Sequence, residues 1–63
     1  MFKVCVDIGG TFTDSIVVDR QGKISEHKVP TTPQDFSLGI MNSLREAAIA
    51  YRRPFEKFMS QID

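Results

Sequence analysis

The sequence lacks the residues that mark several common functions. It contains no tryptophan, one cysteine and one histidine. The lone Cys5 cannot close an internal disulfide, and it lies in an apolar run where a small buried thiol is the ordinary occupant. A reducing, cytoplasmic setting is therefore the expectation. With His27 as the sole imidazole, between Glu26 and Lys28, no cysteine–histidine zinc set can be assembled, and a solvated strand residue is expected there. Basic residues never gather beyond the pair Arg52-Arg53, and eight of them balance eight acidic ones, so the electrostatic footprint of a nucleic-acid binder is missing. No apolar stretch approaches the roughly 20 residues that span a bilayer, and an early acid replaces the basic-then-apolar start of a secretion signal. What is present is ordinary globular material, 41% apolar and 25% charged. At 63 residues it makes one domain at most, and folding at this size hides only about 60% of the unfolded surface, so marginal stability is expected.

Residues Phe2 to Ile8 alternate Phe2, Val4, Val6 and Ile8 on one face with Lys3, Cys5 and Asp7 on the other, which predicts a strand with one buried face. Gly9-Gly10 interrupts it and signals a tight bend or a close approach of backbone to something else. The β-branched run Ser15-Ile16-Val17-Val18 predicts a second strand, and Asp19-Arg20-Gln21-Gly22 a turn with glycine at a position that tolerates positive φ. Lys23 to Val29 continues as a more polar outer strand. Pro30-Thr31-Thr32-Pro33 ends strand pairing, because proline has no N–H to donate. A helix should follow, with Thr32 as N-cap, Pro33 in the first position and Asp35 in the first turn. Phe36, Ile40, Leu44, Ala47, Ala48 and Tyr51 recur at helical spacing as a stripe that would lie on the sheet. Gly39 weakens that helix. Pro54 ends it, and Phe55 to Ile62 predicts a short second helix with Phe55, Phe58, Met59 and Ile62 inward.

The chemistry is expected in Asp7-Ile8-Gly9-Gly10-Thr11-Phe12-Thr13-Asp14. A carboxylate, two glycines and then hydroxyl residues returning into a strand make a sensible phosphate site, since amides of a tight glycine turn can converge on an anion. Asp7, at the end of the first strand, is tolerable beside phosphates only with a hard cation between them, and magnesium suits carboxylate and water oxygens. Thr11 and Thr13 offer hydroxyls to phosphate oxygens or metal-bound water. Asp14 could polarise a water or cap the turn. Other phosphate loops are excluded: there is no Gly-x-x-x-x-Gly-Lys run, and the glycines lead into a strand instead of opening a helix.

The run Asp7 to Asp14, the hairpin after it, and Lys28-Val29-Pro30-Thr31-Thr32-Pro33 before a helix resemble the N-terminal segment of the hydantoinase A/oxoprolinase family. That family includes 5-oxoprolinases, N-methylhydantoinases and acetone and acetophenone carboxylase subunits. The eight-residue motif is fairly specific to it, whereas the Asp-x-Gly-x-Thr core is shared with sugar kinases, actin and Hsp70-type chaperones.

The resemblance implies an α/β fold, the N-terminal part of a ribonuclease-H-like (actin-like ATPase) domain: an antiparallel three-stranded meander, one long helix and a short second helix. It implies that Gly9, Gly10 and Thr11, with Phe12 and Thr13 completing the turn, bind ATP while Asp7 faces Mg2+. The implied reaction is activation of an amide or enol oxygen by phosphorylation, with a small cyclic amide or a ketone as substrate. Family members run to several hundred residues and continue into a His-Gly-Thr-Thr motif and a second phosphate loop. Residues 1–63 are therefore expected to be a single partial domain, inactive alone, whose partner is the remainder of a parent chain or a second subunit. Ser15 has no histidine base in a recognisable motif and is read as structural. Arg52, Arg53 and Lys57 are read as a solvated face near a helix end.

Overall fold

The computed structural model describes all 63 residues. β1 (Lys3–Ile8), β2 (Phe12–Val18) and β3 (Ile24–Pro30) form one sheet in the order β1-β2-β3, antiparallel throughout, followed by α1 (Phe36–Ala50) and α2 (Phe55–Ser60). This is the meander with one long and one short helix expected from the sequence. The β2–β3 turn closes on Asp19, whose side chain accepts the N–H groups of Gln21 and Lys23 at 2.9 Å, while Gly22 takes φ +83°. A local carboxylate and a glycine free of Cβ strain make this turn cheap.

The side-chain alternation of β2 places Thr13, Ser15 and Val17 under α1, all buried, and leaves Asp14, Ile16 and Val18 on the opposite face. The inward face thus carries two hydroxyls and one aliphatic group. α1 answers with small residues, burying Gly39, Ser43, Leu44, Ala47 and Ala48. Ser15 donates to Ser43 Oγ, which passes its own proton to the Ile40 carbonyl at 2.8 Å, so the buried hydroxyls are satisfied. Ser15 is structural, as expected.

Phe2, Val17, Leu44, Ala47, Ala48 and Phe58 form the core, with Val4, Ile40, Tyr51, Phe55, Met59 and Ile62 packed against it. The rings of Phe2, Tyr51 and Phe58 lie 4.8 to 6.0 Å apart. Burying an aromatic or aliphatic side chain of this size contributes about 1.5–3 kcal/mol, so this cluster holds most of the folding energy. Between the helices Arg52 adopts φ 56°. Its N–H donates to Ile49 O (2.9 Å) and that of Arg53 to Ala48 O (3.0 Å), a Schellman termination with arginine where glycine is usual. Pro54 then redirects the chain into α2. Just past α2, Phe2 N–H donates to Gln61 O (2.9 Å) and Asp63 N–H to Phe2 O (2.8 Å), so residues 61–63 lie parallel to the outer edge of β1.

Six expectations need correction. Cys5 is exposed, because odd-numbered residues of β1 face away from α1. Ile8 is 42% exposed although it belongs to the inward set, since α1 lies chiefly over β2 and β3. Phe36 is 51% exposed at the very start of α1 and does not join the buried stripe. The N-cap is Asp35, accepting Ser37 N–H at 3.1 Å, and Thr32 instead reaches past it to accept Gly39 N–H at 2.8 Å. His27 faces α1, half-buried, with Nε2 2.9 Å from Ser25 Oγ, so it is a tethered residue and not a solvated one. Of the three basic residues, Arg52 and Lys57 are exposed, while Arg53 is half-buried over the Phe2 ring at 5.0 Å. Gly39 has a packing reason: a Cβ there would stand 3.1 Å from Thr32 Oγ1 and 3.3 Å from Thr13 Oγ1.

Candidate functional site

The turn between β1 and β2 consists of Gly9, Gly10 and Thr11, and the bond from Gly9 N–H to Phe12 O (2.9 Å) closes it. The two glycines differ in kind. A Cβ on Gly9 would stand 3.1 Å from Phe12 O, so the turn's own closure disfavours a side chain there. A Cβ on Gly10 would meet nothing within 4 Å, and neither residue has positive φ. Nothing inside the chain asks for glycine at position 10. The N–H groups of Gly10 and Thr11 donate to no group of the protein, and both residues are exposed. Two free, adjacent amides over a position kept bare of side chain form a surface that an anion with several acceptor oxygens could approach.

Register assembles the charged part. Asp7 pairs directly with Asp14, and Asp14 with Lys28, so the three side chains form a row across the face opposite α1. Like charges directly across a sheet repel. Lys28 Nζ relieves one of them from 3.5 Å, and also stands 5.4 Å from the centre of the Phe12 ring. Asp14 is half-buried and its Oδ1 has no partner. Asp7 is left exposed beside it. No three acidic, histidine or cysteine side chains converge, so a cation here would have to fill its shell with water and ligand oxygens. Magnesium prefers that donor set, keeping several waters beside one or two carboxylates and phosphate oxygens.

Of the sequence-predicted residues, the structure brings Gly9, Gly10, Thr11 and Phe12 together in the exposed turn, with Asp7 at its foot. Thr13 is separated from them: it is 1% exposed and turned toward α1, its hydroxyl 3.0 Å from that of Thr31. Its hydroxyl supports the turn from beneath. Sequence reasoning gave Thr31 no role beyond ending a strand, yet its N–H donates to Thr11 O (2.9 Å) and its hydroxyl to Gly9 O (2.8 Å). The available signal was two adjacent threonines between two prolines, a stiff segment with hydroxyls to spare. Two concavities, of about 290 and 420 Å³, lie at the other end of the sheet, the first among Met1, Phe2, Asp19, Tyr51 and Arg53 and the second among Met1, Lys3, Val18, Arg20 and Asp63. Neither gathers three acidic, histidine or cysteine side chains.

The family model of the hydantoinase/oxoprolinase N-terminal region matches residues 3–61. The chain belongs to this family. Among its relatives, caprolactamase subunit alpha of Pseudomonas jessenii is 39% identical over 62 residues, covering 98% of this chain and 9% of the relative. The acetophenone carboxylase gamma subunit of Aromatoleum aromaticum is 36% identical over 58 residues, 92% of this chain and 8% of its own. An uncharacterised protein of Methanocaldococcus jannaschii is 41% identical over 51 residues, 79% and 8% respectively. The chain thus spans less than a tenth of the curated relatives it matches. No helix is long and apolar enough to cross a membrane.

Proposed function

We propose that the Gly9–Thr11 turn is one wall of a magnesium–ATP site in an ATP-dependent enzyme of the hydantoinase/5-oxoprolinase type, acting on a cyclic amide. The observation that carries this reading is Gly10, whose lack of a side chain serves no contact within the protein while its N–H and that of Thr11 stay unbonded. In this reading the two amides take phosphate oxygens, and Thr11 adds its hydroxyl from the same exposed turn. Asp7 would face the magnesium ion, with Asp14 and Lys28 setting the charge beside it. The ion, when bound, screens phosphate charge from the carboxylates; the protein's own share is to orient the phosphates and to keep backbone close to them. Substrate and adenosine contacts belong to residues other than these.

A second reading, a subunit of a ketone carboxylase, is favoured by the 36% identity to an acetophenone carboxylase subunit. The relative with caprolactam in its name supports the first, because caprolactam is a cyclic amide. ATP consumption by the complete protein with its partner subunits separates them. Turnover stimulated by cyclic amides supports the first; turnover only with a ketone plus bicarbonate assigns the protein to the second. Failure to bind magnesium–ATP under any of these conditions would end both.

A further inference from the structure

We infer that Thr31, which lies at the end of β3 and outside the turn, is the positioning residue that aims the turn's free amides at phosphate. The inference rests on the nucleotide reading for the identity of the anion, but not for the geometry. Thr31 touches the turn twice: its N–H donates to Thr11 O at 2.9 Å and its hydroxyl to Gly9 O at 2.8 Å. Those two carbonyls flank Gly10. A trans peptide is planar, with its N–H pointing opposite to its C=O. Holding Gly9 O toward Thr31 therefore points the Gly10 N–H the other way, outward and unpaired. Holding Thr11 O fixes the Thr11–Phe12 peptide, so the Gly10–Thr11 peptide, which carries the second free N–H, is suspended between two planes that Thr31 holds.

The hydroxyl bonds have a definite direction. Gly9 O can only accept, so the single Thr31 proton goes there, and the Thr13 hydroxyl 3.0 Å away must donate to Thr31 Oγ1. The result is a chain from Thr13 to Thr31 to Gly9, in which each bond polarises the next. Thr31 is itself held. Pro30 precedes it, fixing its own φ, and Thr32 follows, accepting Gly39 N–H from α1 at 2.8 Å and donating to Asp35 O at 2.6 Å. The turn is thus referenced through two consecutive threonines to the start of α1, the one place where Gly39 lets that helix approach Thr13 and Thr32. Serine would preserve the hydroxyl chain; valine, of nearly the same shape, would break it.

The test uses the complete protein with its native partners and the variants Thr31→Val, Thr31→Ala and Thr31→Ser. Affinity is measured for magnesium–ATP, for magnesium tripolyphosphate and for adenosine, and hydrogen exchange for the peptide spanning the turn. Thr31→Val and Thr31→Ala should lose roughly tenfold or more in affinity for ATP and tripolyphosphate and exchange the turn faster, with adenosine binding unchanged. Thr31→Ser should stay within about threefold of the parent protein. A residue that only supported the fold would weaken all three ligands together. Equal tripolyphosphate affinity in the hydroxyl-free variants, or equal loss in Thr31→Ser and Thr31→Val, would overturn the role. Should Thr31→Val not fold, the alanine and serine pair carries the same comparison. A parent protein with no affinity for ATP or tripolyphosphate would refute the nucleotide reading instead; positioning would then be refuted by unchanged turn exchange in the hydroxyl-free variants and upheld by faster exchange.

Discussion

The two ends of the sheet are held by different forces. At the Phe2 end three aromatic rings and two helices close over one another in an apolar cluster, with residues 61–63 hydrogen-bonded along its edge. At the turn end the residues are exposed and small, and hydroxyls and backbone groups do the holding. Apolar burial is non-directional and worth kilocalories per side chain, so it stabilises without fixing any one atom closely. Hydrogen bonds are worth less net but prescribe direction. The division places stability at one end and orientation at the other, and substitutions should separate the two.

The largest effect is expected at the apolar end. Phe58 is fully buried against Phe2 and Tyr51, and Phe58→Ala should cost about 3–5 kcal/mol. For a chain this small that is close to the whole of its stability, so urea denaturation should show a protein already unfolded without denaturant. A cooperative transition within about 1 kcal/mol of the parent would show that the division is misplaced.

Gly10→Ala should do the reverse. With open space around the new Cβ and no positive φ, stability should hold or rise by about 0.4–1 kcal/mol as the unfolded chain loses freedom. Affinity for magnesium–ATP should meanwhile fall roughly tenfold, equivalent to about 1.4 kcal/mol, because the methyl group occupies the approach to the free amides. Titration calorimetry beside thermal melting reads both; unchanged affinity would remove the main support for the phosphate-binding turn.

Much of this architecture is readable from periodicity and punctuation. Gly9-Gly10 and Asp19–Gly22 mark the two hairpins, and Pro30, Pro33 and Pro54 mark where pairing or helix must stop. What periodicity does not carry is which elements cover which. Ile8 would be buried if α1 covered the whole sheet, but the helix lies chiefly over β2 and β3; Cys5 is on the face turned away from the helix, and Phe36 stands at the exposed start of α1. The turn was legible as a motif, because its residues are contiguous. Its support was not: the bond from Thr31 to Gly9 joins residues 22 apart and exists only once the register of both ladders is set. The inward face of β2 was likewise obscured, since Thr13 and Ser15 read as polar while their buried hydroxyls find partners on β3's end and on α1.

A smaller effect tests whether strain at the apolar end has any functional meaning. Arg52 sits at φ 56°, where a Cβ costs on the order of 1 kcal/mol, and its backbone bonds to α1 need no side chain. Arg52→Gly should therefore raise stability by about 0.5 kcal/mol, the glycine's greater unfolded-state freedom offsetting part of the relief. Nucleotide affinity should not move. A change in ATP binding with this substitution would mean that the two ends communicate, contrary to the division above.

The smallest effect is a pH dependence at the apolar end. The Met1 ammonium lies 2.7 Å from Asp63 Oδ1, and its hydrogen bond and then its charge hold the Asp63 carboxyl below the ordinary 3.8, with Lys3 adding a little. A carboxyl whose folded value is depressed contributes stability that is fully present above its unfolded value and is lost as pH falls through the folded one. The window is thus the acidic side of 3.8. Both groups are largely exposed, so solvent and salt screen the pair and the contribution is slight. Melting temperatures of the parent chain and Asp63→Asn should differ slightly at neutral pH and low salt. They should converge as the pH drops below that window, and the neutral-pH difference should shrink at about 1 M salt, where the screening length is near 3 Å. A difference that persists in acid would locate the effect in packing of residues 61–63 against Phe2, and not in the ion pair.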